Sequence, residues 1–389
     1  MTTKDAMALG TNPTIRNTGF EGRRSMLPKR NVGLSGDETV HRNMQRRALR
    51  VISNFKNLHQ VIDPDEALIH EYVGDCGSAA RFIYECLRSD VVILNVDQRK
   101  LMMACLLRWV WPFCKFRLVS VDLILRPPKR QRDHLKIWLE RMLFSRVDRF
   151  ILYFKDLRGY QRFYGIGPDR ALYVPFKVNG WEKICAQPRG SAEGDYVLCA
   201  GRTLRDIETF VEAMKLAGCP GVLLQQKREL LTEHGTSAWS GELPQSVKLI
   251  IDDSDEIEPY LSMIEKASMV VIPRFRGDIA PTGISTYLVA MALNKCVIIS
   301  EGPGAEDVLT DEAVIVPAED PEALAQQIGL LWNDAALRTT IASRGLEYAA
   351  TVGGKERLHR HILRASIESL GEAWTAPALD KHRSKPLVT

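Results

Sequence analysis

From about residue 66 the chain alternates short apolar runs with longer stretches whose apolar positions recur every three or four residues. The runs ALIHEYVG, VVILNVD, RLVSVDLIL, RFILYFK and ALYVPF, at 67–74, 91–97, 117–125, 149–155 and 171–176, have strand length. Between them SAARFIYECLRSD, LMMACLLRWVW, a long basic segment and GYQRFYGI read as helices, the second ended by Pro112. Short apolar runs joined by helices of this length belong in parallel sheets covered on both faces. Residues 177–195 break the rhythm with Gly, Pro and charge, which marks a linker. The alternation then restarts with YVLCAG, GVLLQQ, VKLIIDD, MVVIP, CVIIS and AVIVPA as strands and helical segments between them. The pattern predicts an α/β chain of two doubly wound domains, the first over 49–180 and the second over 181–354. A helix at 355–374 follows. Residues 1–48 and 375–389 lack either period and read as a flexible basic arm and a loose tail.

Length and composition agree with this division. A chain of 389 residues with 45% hydrophobic and 26% charged content has material for two soluble cores. No apolar run reaches the ~18 residues that span a bilayer. The first twenty residues lack the apolar core of a signal peptide, so a cytoplasmic location is expected. The eight cysteines include no C-x-x-C pair and read as reduced core thiols rather than a metal or disulfide framework. The net charge of +4 is uneven, because residues 1–50 carry ten Lys/Arg against four Asp/Glu. Such an arm suits an anionic surface or simple solubilisation. It lacks the interleaved aromatics of a nucleic-acid binder, so no nucleic acid is expected.

Ligands of doubly wound sheets sit outside the carboxyl ends of the strands. Three features of the second domain lie there. In CAGRTLRD, Arg202 and Arg205 follow a strand end and precede a helix, an arrangement that suits a diphosphate. A pair of exposed arginines is the alternative, although the positive end of a helix disfavours it. In APTGIS, a glycine opens the next helix, whose first N–H groups suit an anion. Asp252, Asp253 and Asp255 could bind a cation or cap the following helix. In the first domain, Asp122 ends a central strand and offers either a catalytic carboxylate or a loop cap. Gly74, Gly77 and Ser78 form a glycine-spaced turn that could touch phosphate or acceptor.

These segments, in this order, resemble the family-four (group 1) retaining nucleotide-sugar glycosyltransferases of the GT-B fold. The likeness is clearest from Tyr196 to about Val352, in the strand–GR–helix start, MVVIPRFRGDIAPTGISTYLVAMALNKCVIIS and GAEDVLTDEAVIVPAEDPEALAQQIGLLWND. It implies GT-B architecture: two Rossmann-like domains with the ligand cleft between them, and a C-terminal helix returning to the first. It implies a nucleoside-diphosphate-sugar as donor substrate, with no separate cofactor and no metal. Arg202 and Arg205 match the family's basic pair at the donor diphosphate, and the backbone of Gly283, Ile284 and Ser285 would receive phosphate oxygens. Two glutamates of the family, at the sugar and the ribose, correspond here to Pro281 and Val289. Asn294 and Cys296 replace a usual glycine and proline. Asp278 and Thr282 are then the candidate sugar contacts, and Asp122 stands where family enzymes often carry a histidine.

On the acceptor side, Leu135, Trp138, Leu139, Met142 and Leu143 form one apolar stripe, with Lys129, Arg130, Arg132, Lys136 and Arg141 elsewhere on the segment. Residues 127–146 therefore either rest on an anionic membrane or pack on the sheet. The resemblance implies a glycosyltransferase acting on a glycan or lipid-linked acceptor, with retention, in cell-surface polysaccharide or glycoconjugate synthesis. A non-catalytic GT-B scaffold that lost its glutamates, or a sugar-nucleotide epimerase, are the alternatives.

Overall fold

The structure is a computed structural model, and it describes residues 49–56, 58, 69–74, 76–186, 193–201, 204–226, 238–252, 254 and 256–369. The first six strands are β1 (Leu49–Ser53), β2 (Ile69–Val73), β3 (Val91–Asn95), β4 (Arg117–Val121), β5 (Arg149–Leu152) and β6 (Ala171–Tyr173). They form a parallel sheet in the order β2-β1-β3-β4-β5-β6. The next six are β7 (Tyr196–Cys199), β8 (Gly221–Gln226), β9 (Val247–Asp252), β10 (Ala267–Ile272), β11 (Cys296–Ser300) and β12 (Val314–Val316). Their order is β12-β11-β10-β7-β8-β9, again parallel. Two sheets of this kind confirm the α/β, doubly wound reading.

The helices named here are α1 (Ala79–Arg88), α2 (Gln98–Val110), α3 (Gln131–Phe144), α4 (Arg158–Tyr164), α5 (Trp181–Cys185) and α6 (Ile207–Ala217). They continue as α7 (Ile257–Glu265), α8 (Ile284–Ala292), α9 (Pro321–Asn333), α10 (Ala335–Val352) and α11 (Lys355–Glu368). Side-chain caps start many of them: Ser78, Asp97, Asp206, Asp320 and Asp334 each accept a backbone N–H of the first turn. The C-terminal helix α11 packs against β3 and β5 of the first sheet.

The strands are apolar on both faces because helices cover both. Val91, Val92, Val270, Val271 and Ile272 are fully buried, each side chain contributing about 1.5–3 kcal/mol by leaving water. One continuous cluster joins the sheets, with Val121, Tyr153 and Val174 on one side and Ile272, Tyr287 and Val289 on the other.

Four details differ from the pattern reading. β1 precedes the start of the alternating pattern, yet it lies between β2 and β3. The linker holds the short helix α5. RLVSVDLIL stops being a strand at Val121, because Asp122 turns into the left-handed region at φ 53. Four residues of the apolar stripe of α3, Leu135, Trp138, Leu139 and Met142, face outward, while Leu143 packs on the core beside the buried Ile137, Glu140 and Phe144.

Candidate functional site

A doubly wound sheet opens a crevice where its strand order reverses. In the first sheet this point, between β1 and β3, is closed by Asn54. Its Nδ2 donates to the Asn95 carbonyl and its Oδ1 accepts from the Asn95 N–H, both at 2.8 Å. In the second sheet the reversal falls between β7 and β10, and three groups converge there.

The first is Arg205, which is buried rather than exposed at the sheet mouth. Its Nε donates to the Ala200 carbonyl at 3.0 Å and its Nη2 to Thr286 Oγ1 at 3.2 Å. Gly201 makes this possible. Its φ is +116°, and a Cβ there would lie 2.2 Å from Arg205 Nη2. Burial lowers the Arg205 pKa.

The second group is the start of α8. Gly283 holds φ +88°, and a Cβ on it would lie 2.6 Å from Ile272 Cγ2 and 3.8 Å from Arg205 Nη2. The first intrahelical bond runs from the Tyr287 N–H to the Gly283 carbonyl at 2.9 Å. The N–H groups of Ile284, Ser285 and Thr286 precede it, as an anion site at a helix start requires. Ser285 Oγ accepts from Asn179 Nδ2 at 2.6 Å, and Asn179 Oδ1 accepts from Lys177 Nζ. Thr282 is buried with its hydroxyl oxygen unpartnered.

The third is Arg274, which the sequence reading missed. Its backbone pairs with Arg205 across the crevice in an isolated antiparallel bridge. Its Nη1 donates to the Pro303 carbonyl at 2.8 Å and Nη2 to the Ala280 carbonyl at 3.2 Å, while the buried Nε has no partner. Burial, helped by the neighbouring Arg205 charge and opposed by Asp278, brings its pKa down to about 10. Two buried guanidiniums and the positive end of a helix thus share one place, which favours negative charge there. An arginine directly after the apolar run MVVIP was the available signal.

Arg274 also lines a cavity of about 300 Å³ with Asp278, Arg158, Gly302, Glu301 and Glu306. Asp278 is half-buried; burial raises its pKa, while Arg274, Lys129 and Arg126 pull it back. The two halves meet around this cavity. Asp307 accepts from the N–H groups of Lys155 at 2.6 Å, Asp156 at 2.7 Å and Gly304 at 2.6 Å. Ile279 packs on Gly159, where a Cβ would lie 2.3 Å from its Cγ2.

Asp122 stands at the carboxyl end of β4. Its N–H donates to the Ile151 carbonyl at 3.0 Å, and no described residue hydrogen-bonds its carboxyl group. Burial raises its pKa to about 6. A carboxyl that titrates near neutrality suits proton transfer.

The structure therefore brings Arg205, Thr282, Gly283, Ile284 and Ser285 together, with Asp278 in the adjoining cavity. Gly74, Gly77 and Ser78 lie beyond β2 at the sheet edge, three strands from β4, and Ser78 caps α1 through a 3.2 Å bond from Arg81 N–H. Arg202, Asp253 and Asp255 lie outside the described residues. Before α7, Ser254 N–H donates to Asp252 Oδ1 and Glu256 N–H to Ser254 Oγ, both at 3.0 Å. Val289 is fully buried in the core, so that position faces no ligand. Among the described residues no group of three His, Cys, Asp or Glu could hold a metal ion.

No protein-family model and no curated protein sequence matches the chain. Solved structures do. A glycosyltransferase from Rickettsia africae aligns with a TM-score of 0.55 at 15% identity, over 83% of this chain and 90% of that one. Anabaena HepE in complex with UDP aligns at 0.56 and 13% identity, over 82% and 99%. Sucrose-phosphate synthase from Thermosynechococcus elongatus aligns at 0.51 and 18% identity, over 76% and 79%. At these identities the likeness establishes the fold.

Proposed function

We propose that this chain, which has the GT-B fold, is a glycosyltransferase that takes a sugar from a nucleoside-diphosphate-sugar. The observation that carries the reading is the convergence of Arg205, Arg274 and the Gly283-led start of α8 at the switch point of the second sheet. That place suits a diphosphate, and HepE, of the same fold, is a UDP and UDP-glucose complex. The helix N–H groups of Ile284 and Ser285 receive phosphate oxygens, and Arg205 braces the helix start from beneath. Thr282 and Asp278 are the sugar contacts in this reading. The metal-independent reaction proceeds with retention, and Asp122 exchanges the acceptor proton or stabilises positive charge on the reacting sugar carbon. The acceptor is a glycan or lipid-linked precursor of the cell surface, met at the inner face of a membrane.

One observation favours a second reading. Val289 lies in the core where the family's ribose-binding glutamate would stand, and Pro281 supplies no carboxylate at the other place. A scaffold that binds nucleotide weakly and transfers nothing fits that loss. The two readings separate when the protein is given a nucleotide-sugar panel together with a membrane glycan extract and nucleoside diphosphate release is followed. A transferase releases it, and Asp122→Asn stops release while leaving donor affinity within about twofold, since only a transition-state contact is removed. Release by neither protein would establish the scaffold, and equal release by both would remove Asp122 from the chemistry.

A further inference from the structure

The surface formed by α2 and α3 is the most unusual feature outside the cleft. These helices pack against each other and bury Leu101, Ala104 and Cys105 on one and Ile137, Glu140 and Phe144 on the other. What they leave outside is apolar. Trp109, Trp111 and Phe113 are exposed at the end of α2, Phe113 by 82%; Leu135, Trp138 and Leu139 are exposed along α3, Leu135 by 65%. Single exposed apolar residues need no explanation, but six on or just after two helices packed side by side mark an interaction surface.

Charge identifies what covers it. Residues 99–146 carry twelve Lys/Arg against three Asp/Glu, in a chain whose total is only +4. Lys115, Arg130, Arg132, Lys136 and Arg146 are exposed on α3 or in the segments that adjoin the two helices, whereas Glu140 is buried. A second copy on the same face would set these like charges against one another. Tryptophan and phenylalanine beside exposed lysine and arginine match the boundary between acyl chains and anionic headgroups. We infer that α2, Trp111–Phe113 and α3 together form a docking platform for an anionic lipid bilayer. The platform is wider than the α3 stripe alone, and it lies on the surface rather than spanning, since no described helix is long and apolar enough to cross. It extends the proposal of a membrane-side acceptor, and its test reads lipid binding rather than transfer, so either can fail alone.

The test is flotation of the full chain with vesicles of phosphatidylcholine, with and without about 30 mol% phosphatidylglycerol. The wild type is expected to float only with the anionic vesicles. Each basic residue at the surface is worth roughly fivefold in partitioning, so combining Arg132→Gln, Lys136→Gln and Arg146→Gln should weaken binding about a hundredfold. Trp109→Ser with Trp138→Ser should weaken it at least tenfold, on the order expected for two interfacial aromatics. All five side chains are exposed, so thermal unfolding and the response to nucleotide should match the wild type. The basic N-terminal residues could bind lipid alone, which is why the difference between variants is the readout. Unchanged flotation in both variants would overturn the platform. So would a concentration-dependent dimer that the tryptophan variant abolishes, because a second copy would then cover the face.

Discussion

Replacing Asp122 with asparagine should make the protein more stable at neutral pH. The side chain is half-buried, no described group hydrogen-bonds its carboxyl, and burial raises its pKa from 3.8 to about 6. Below 3.8 both folded and unfolded chains hold the proton and nothing changes. Between 3.8 and about 6 the unfolded chain has lost it while the folded chain keeps it, so stability falls as pH rises, and above 6 the loss is complete. At about 1.4 kcal/mol per pH unit the full loss is up to about 3 kcal/mol. Asparagine fits the backbone, because it tolerates the left-handed region as well as aspartate does. His359 works in the opposite sense. Burial, with Lys355 and Lys177 adding, lowers its pKa from 6.5 to about 4, so its contribution is lost as pH falls through that window. The two slopes largely cancel in the wild type, and the variant exposes the histidine slope. Urea unfolding at about pH 4.5 and 7.5 should show the advantage of Asp122→Asn growing by about 2 kcal/mol between them. An advantage that is equal at both pH values, or reversed, would refute the buried-acid assignment.

Three further substitutions test the site and the contact between its halves. Gly283→Ala places a Cβ 2.6 Å from Ile272 Cγ2 at φ +88°, so denaturant unfolding should show a loss of about 2–4 kcal/mol. Asp307→Ala removes the acceptor of three backbone N–H groups. Amide exchange at Lys155 and Asp156 should accelerate and stability should drop by about 1–3 kcal/mol, while unchanged exchange would mean the link is not made. Val289→Glu would put the glutamate of the family that the sequence resembles in a fully buried place. It should cost about 3–5 kcal/mol by urea unfolding rather than improve nucleotide affinity.

Much of the fold was legible because parallel strands buried on both faces read as unbroken apolar runs, as VVIL and MVVI do. β1 was harder, since LRVIS is short, carries a basic residue at its second position and follows a basic segment. The start of α8 was legible from Gly283, because few residues tolerate its backbone and its close approach to Ile272. Arg205 was found, but its orientation was not. Whether a guanidinium turns outward or folds under a glycine depends on Gly201 and Thr286, 81 residues away along the chain in the second case. Arg274 and Asp307 were missed for the same reason: a charged residue in a loop reads as solvated until its distant partners are known. The α3 stripe shows the limit of periodicity, which gives a helix one apolar face but not what that face meets.

The most direct measurement is thermal unfolding of the purified protein against UDP, GDP, TDP and their sugars, with Gly283→Ala alongside. At a hundred times its dissociation constant a ligand adds about 2.7 kcal/mol, a shift of roughly a few degrees. If the proposed diphosphate site is the α8 N-terminus, one base shifts the wild type and not the variant. No shift with any nucleotide, or the same shift in both proteins, would contradict it.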